Sequence, residues 1–130
     1  MEDVFDLNPS YELEHVGFTN FPQPPLQAIG INPFHVRLFG CNAATFISCV
    51  WRIAWSSYLQ DEMDEDFFFP MDKQDVKKLT GLGISEQVGI ATTLQNLKIL
   101  DIHQDNGDVV VLRLNTKVIE KMVKSYRFGV

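Results

Sequence analysis

Hydrophobic positions divide the chain into two stretches of different character. From Asn32-Pro33 onward apolar residues recur at helix or strand spacing, whereas residues 1–31 show no sustained period of either kind. Phe34, Val36, Leu38 and Phe39 predict a short helix closed by Gly40, a residue that tolerates the left-handed backbone common at helix ends. Asn42 is then placed to cap a long helix over 43–60 by accepting an amide hydrogen of its first turn. Phe46, Ile47, Val50, Ile53 and Ala54 share one face of that helix, and Trp51, Trp55, Tyr58 and Leu59 widen the stripe almost to the full circumference. Such a helix is expected to be the spine of the core.

Beyond it the pattern changes period several times. The run 67–70 predicts a short strand ended by Pro70. Asp72 offers a cap for a helix over 73–79 with Val76 and Leu79 inward, and Thr80-Gly81-Leu82-Gly83 is a turn. Ser85 is expected to cap a third helix over 86–97, with Val88, Ala91, Leu94 and Leu97 or Lys98 on its buried side. Strands over 99–103 and 108–114 flank an Asn106-Gly107 hairpin turn, and Asn115 caps a last helix over 116–126. The fold class is therefore mainly α with a small β-hairpin. Helix, short strand, helix, tight turn, helix, hairpin is the order of a winged helix-turn-helix, whose third helix faces a duplex and whose hairpin is the wing.

Composition supports one domain and complicates its partner. The chain has 130 residues, 45% hydrophobic and 22% charged, which excludes disorder throughout, collagen-like repeats and a disulfide-dense scaffold. Its formal charge of −6 argues against polyanions, but the charge is uneven. Residues 1–66 carry −8 and residues 67–130 carry +2, with Arg113, Lys117, Lys121, Lys124 and Arg127 opposed by Glu120 alone after Leu112. Two domains of organisation follow: an acidic, proline-containing arm over 1–31, and a winged helix-turn-helix over 32–130 ending in a basic helix.

The runs Asn32-Pro33, Leu38-Phe39-Gly40-Cys41-Asn42-Ala43-Ala44-Thr45-Phe46-Ile47-Ser48, Phe68-Phe69-Pro70-Met71-Asp72-Lys73, Leu79-Thr80-Gly81-Leu82 and Leu94-Gln95-Asn96-Leu97-Lys98-Ile99-Leu100 carry a resemblance. They resemble the winged-helix domain of phage replication-initiation and replisome-organiser proteins over roughly residues 32–115. The resemblance implies a non-enzymatic DNA-binding protein of a phage or mobile element, acting in replication or transcription control. On that expectation Ser85, Gln87, Thr93, Asn96 and Lys98 face the major groove, while Arg113, Lys117, Lys121 and Lys124 hold phosphates. Lys117, Lys121 and Lys124 share one side of the last helix, opposite Val118, Ile119, Met122 and Val123. The third helix departs from the family where it matters, since its one early charge is Glu86.

The alternative is a viral adaptor or inhibitor that keeps the fold and binds a host protein of the nucleic-acid machinery. Asp3, Phe5 and Asp6 of the arm and the loop acids Asp61, Glu62, Asp64, Glu65 and Asp66 would then meet a basic protein surface. A second copy of the chain is a further candidate partner. The loop acids lack the glycine and distal glutamate of a calcium loop, and His15, His35, His103, Cys41 and Cys49 show no ligand or nucleophile spacing. No catalytic residue, metal, cofactor or small-molecule substrate is expected. Unpaired cysteines, an acidic Met1-Glu2-Asp3 start and no apolar run near the roughly 18 residues of a span predict a cytoplasmic protein without membrane contact.

Overall fold

The structure, a computed structural model, describes residues 32–128, so the arm over 1–31, with Asp3, Phe5 and Asp6, lies outside the described residues. Asn32 opens the fold with capping chemistry: its Oδ1 accepts the Phe34 N–H at 2.9 Å, and Pro33 occupies the first turn, where a missing N–H is harmless. The resulting helix α1 (Pro33–Phe39) stops at Gly40, whose φ of +90° suits a residue without a Cβ. That same glycine stands at the N-cap of α2 (Cys41–Leu59), so Asn42 lies inside the first turn and no side chain caps the helix. The expected Asn42 cap is displaced because Gly40 has already turned the chain.

As expected, α2 is the spine. Ala44, Phe46, Ile47, Cys49, Val50, Trp51 and Ala54 are buried along it, with Ile53, Trp55 and Tyr58 half-covered and Leu59 exposed at the end. Each fully buried large side chain contributes about 1.5–3 kcal/mol, which makes this helix the main apolar contribution to stability. The acidic loop that follows is held locally, the Asp64 carboxylate accepting the N–H groups of Asp66 and Phe68 at 2.8 and 2.9 Å.

Strand β1 (Phe69–Asp72) runs through Pro70 instead of ending there. Proline is tolerated because β1 is an edge strand, pairing with one neighbour only, and Pro70 is exposed. Asp72 caps α3 (Lys73–Thr80) as its sequence position predicts, accepting the Gln74 N–H at 2.8 Å, and Gly81 ends it at φ +81°. Val76 is fully buried, but Leu79 points outward at 55% exposure while Leu82, beyond the turn, is buried.

Helix α4 (Ile84–Asn96) begins earlier than expected, with Gly83 at the N-cap and Ser85 in the first turn. Glu86, not Ser85, serves this end: its Oε1 accepts the Gly83 N–H at 3.0 Å. The helix is also rotated from the expected face, burying Gln87 and Leu94 and leaving Val88 45% exposed. Its C-terminus closes as a Schellman motif, the Ile99 N–H donating to Leu94 O at 2.9 Å and the Lys98 N–H to Gln95 O at 3.0 Å. Lys98 occupies the left-handed position of that motif at φ +67°.

Strands β2 (Leu100–Asn106) and β3 (Val109–Leu114) complete an antiparallel sheet in the order β1-β3-β2. Asn106 pairs with Val109, so the two-residue turn is Gly107-Asp108, with Gly107 at φ +79°, one position beyond the expected Asn-Gly turn. The register slips by one between Ile102 and Gln104, leaving His103 without an opposite partner. Helix α5 (Thr116–Phe128) follows β3 directly and packs on α1, with Phe34 and Tyr126 edge to face at 6.1 Å. The fold is thus mainly helical with a small three-stranded antiparallel sheet, the hairpin having gained β1 as a third strand.

Candidate nucleic-acid interface

The candidate residues separate into four groups once folded. Ser85, Thr93 and Asn96 are exposed on α4. Gln87 is not on that outward face: it is 2% exposed, and its Nε2 donates to the carbonyls of Lys73 and Leu82, each at 3.0 Å. An amide able to bridge two carbonyls gains more inside than a valine does, because an unpaired buried carbonyl costs about 1–3 kcal/mol. That is why Gln87 displaced Val88 from the core face.

Arg113 is engaged within the molecule. Its Nη2 and Nε donate to Asp101 Oδ2 at 2.7 and 3.1 Å, its Nη1 donates to the Asp66 carbonyl at 3.2 Å, and its guanidinium lies 4.7 Å from the Phe68 ring centroid. Asn115 Nδ2 adds a hydrogen bond to the same Asp101 oxygen at 3.2 Å. The Arg113 hydrogen bond, helped by Asn115, holds the Asp101 carboxyl below the usual carboxylate range despite its partial burial. This arginine ties the hairpin base to the acidic loop, and its donors are directed inward rather than toward a phosphate.

Lys98 and α5 come together through Asn115. Its Nδ2 donates to the Lys98 carbonyl at 2.8 Å, and its N–H donates to Ile99 O at 2.8 Å. Asn115 therefore joins the end of α4 to the start of α5, its backbone carbonyl accepting from Val118 at 3.1 Å at the helix entry. Lys117, Lys121 and Lys124 are exposed along α5 over about 10 Å of helix axis. Ile119 is buried beneath them and Val118, Met122 and Val123 are half-buried. Among the described residues, Lys98, Lys117, Lys121 and Lys124 have no ion-pair partner, whereas Lys73 pairs with Asp105 at 3.0 Å and Arg113 with Asp101 at 2.7 Å.

The outer side of α4 and the hairpin tip carry the opposite sign. Glu86, Asp105 and Asp108 lie there, and Lys73, beside Asp105, is mostly buried and matched to it. Asp108 is drawn to α3, its carbonyl accepting the Lys73 N–H at 2.7 Å. Asp61, Glu62, Asp64, Glu65 and Asp66 are all exposed in their loop.

Among the described residues no group of three or more His, Cys, Asp or Glu is placed to hold a metal, and no helix is long and apolar enough to cross a membrane. Both cysteines are free, Cys41 exposed and Cys49 buried. Burial pushes the Cys49 thiol up to about 11. His35 is 3% exposed and stacks on Trp51, ring centroids 6.4 Å apart, so burial lowers its pKa.

Two contributors were invisible to residue-type reasoning, Asn115 as a bridge and Lys98 as a left-handed residue. The Leu94-to-Ile99 apolar spacing around a helix end is the signal that would have indicated the Schellman closure, and with it the turn at Lys98. Compared with models of known families, with curated proteins and with solved structures, the chain matches none.

Proposed function

We propose that this chain is a winged-helix protein that binds nucleic acid through the phosphate backbone, using Lys98, Lys117, Lys121 and Lys124, in the replication or transcription control of a phage or related mobile element. The observation that carries it is the row of exposed lysines along one side of α5, with the Asn115 bridge bringing the Lys98 backbone to the start of that helix. The winged-helix assignment is supported by the element order and by β1 joining the hairpin in the order β1-β3-β2. The face that a winged helix usually inserts, α4 with the hairpin tip, carries the exposed carboxylates Glu86, Asp105 and Asp108, and its Lys73 is paired with Asp105. Contact through α5 accordingly accounts for both charge distributions: phosphates meet the lysines while the acidic face stays in solvent or meets another protein.

Four phosphate contacts give a salt slope of about −0.9 each on duplex DNA, so affinity should fall by roughly a hundredfold between 50 and 200 mM salt. Fluorescence anisotropy with a labelled duplex measures this directly. Lys117→Glu with Lys121→Glu should abolish binding, while Ser85→Ala with Thr93→Ala should leave it near native. No binding at 50 mM salt, or greater loss from the α4 pair than from the α5 pair, would refute the assignment.

A second function is favoured by one observation: Val88 on α4 and Val109 at the hairpin tip are apolar groups exposed at 45% and 40%, close in sequence to Glu86 and Asp108. That combination fits a protein partner with a basic rim, the adaptor alternative. Its mark is a host nucleic-acid-processing protein that binds the native chain and is released when Glu86 and Asp108 are neutralised and Val88 is replaced by serine.

A further inference from the structure

The spacing of apolar residues in α3 assigns Leu79 to the interior, but Leu82, beyond the turn, is the one buried, and Leu79 is left 55% exposed. Leu79 stands on the wall of a groove of about 430 Å³ between the second half of α2, β1 and α3. Ile53 of α2 and Pro70 and Met71 of β1 supply the rest of its apolar surface. Its charged residues are Glu62, Asp72 and Asp75 against Lys78 alone. Glu62 belongs to the loop over 61–66, which holds five acids and no base. Asp72 is committed locally, its carboxylate accepting the Gln74 N–H at 2.8 Å. Glu62 and Asp75 are exposed and, among the described residues, have no ion-pair partner, so both carboxylates can meet a cation from outside.

We infer that this groove docks an amphipathic helix of a partner protein, with a large aliphatic side chain seated against Ile53, Pro70 and Leu79 and flanking Lys or Arg residues meeting Glu62 and Asp75. Charge complementarity chooses the occupant: three carboxylates to one ammonium repel nucleic acid and anionic lipid and attract a basic protein surface. An apolar centre within a charged rim is the anatomy of a protein interface. The volume also falls within the roughly 300–1,000 Å³ of clefts that take up ligand groups. Pro70 decides between a helix and an added strand. β1 is an edge of the sheet, but it is four residues long and Pro70 has no N–H to offer a further strand, so that ladder would be short and interrupted. A helix needs no main-chain partner and fills a groove with its side chains alone. None of these residues belongs to the proposed phosphate strip, so the inference stands independently of it.

The probe is a blocked peptide of about 14 residues built from lysine, alanine and leucine, with its leucines on one helical face. One control replaces leucine by serine, the other lysine by glutamate. In an NMR titration at low salt the leucine–lysine peptide should bind the full chain with Kd of about 0.1 mM or tighter. It should shift the amides of Ile53, Ser57, Asp75 and Leu79 and give nuclear Overhauser contacts from its leucine methyls to Leu79. Both controls should bind at least about tenfold more weakly. Leu79→Ser, and Glu62→Gln with Asp75→Asn, change exposed side chains and so retain the fold; each should weaken the peptide by about three- to tenfold. The inference is overturned if the peptide does not bind, if the shifts lie on other faces, if the serine peptide binds equally well, or if neither variant weakens binding. The same amides identify any other occupant. Shifts on diluting the peptide-free chain would give the groove to a second copy, Overhauser contacts from Leu79 to residues 1–31 to the chain's own arm, and shifts on adding duplex DNA to nucleic acid; each of these also overturns it.

Discussion

Replacing Lys98 with glycine should make the protein more stable and a poorer ligand for nucleic acid. Lys98 holds φ at +67° because the Schellman closure of α4 requires a left-handed residue between Leu97 and Ile99. That conformation costs an L-residue about 1–2 kcal/mol. Glycine removes the cost but returns about 0.5–1 kcal/mol through the added freedom of the unfolded chain, so Lys98→Gly should gain about 0.5–1 kcal/mol. For a chain of this size the melting temperature rises by about 2–5 °C. Lys98→Ala keeps the backbone strain and removes the charge, and should stay within about 0.5 kcal/mol of native. Both variants delete one cation from the strip, so the salt slope should shrink by about 0.9 and affinity at 0.1 M salt should drop about five- to tenfold. Urea melts and anisotropy titrations at several salt concentrations separate the two effects. A Lys98→Gly protein no more stable than native refutes the strain argument. An unchanged salt slope in both variants removes Lys98 from the interface.

Gln87→Leu leaves the Lys73 and Leu82 carbonyls without their donor and should destabilise the fold by about 2–4 kcal/mol in urea melts; a loss under 1 kcal/mol would mean that those carbonyls find water. His35 has a folded-state pKa below its ordinary 6.5 because it is buried, so the unfolded chain binds the proton first. Its contribution is therefore complete above pH 6.5 and lost as pH falls below it, at no more than about 1.4 kcal/mol per pH unit. Melts of native protein and His35→Phe between pH 7.5 and 5.5 should diverge in slope, and parallel curves would count against it. Cys41 should react with a thiol reagent at pH 8 in the native state while Cys49, its thiol raised to about 11 and buried, reacts only after denaturation. Counting labelled thiols by mass spectrometry decides this, and two fast-reacting groups in native protein would contradict it.

Helix existence and order were legible wherever local chemistry decides. Asn32, Gly40, Asp72 and Gly81 mark helix ends by capping geometry that needs no tertiary partner. What escaped depends on distant atoms. Periodicity assigns Gln87 to solvent, yet two carbonyls from α3 and its following turn draw it inside. Pro70 reads as a stop only until β1 is known to be an edge. Ser85 and Asn42 are good cap residues, but a glycine two positions before each had already taken the role.

Arg113 is the instructive case for the site. Continuing the pairing of Asn106 with Val109 without a slip would set Asp101 across from Leu114; the irregularity at His103 sets it across from Arg113 instead. A one-residue slip thus converts an available cation into half of an ion pair. The α5 lysines were legible because their helical spacing is local, whereas the link from Lys98 to α5 required Asn115 to reach back across the chain.

The contact of Phe34 with Tyr126 joins the first described helix to the last. During synthesis α1 leaves the ribosome long before α5 exists, and its α5-facing side waits uncovered until then. The lysines of α5 acquire their fixed arrangement only when that final helix closes against α1, so an incomplete chain presents no organised cationic strip. On the proposed function, competence to hold a polyanion would in this way depend on α5 docking against α1.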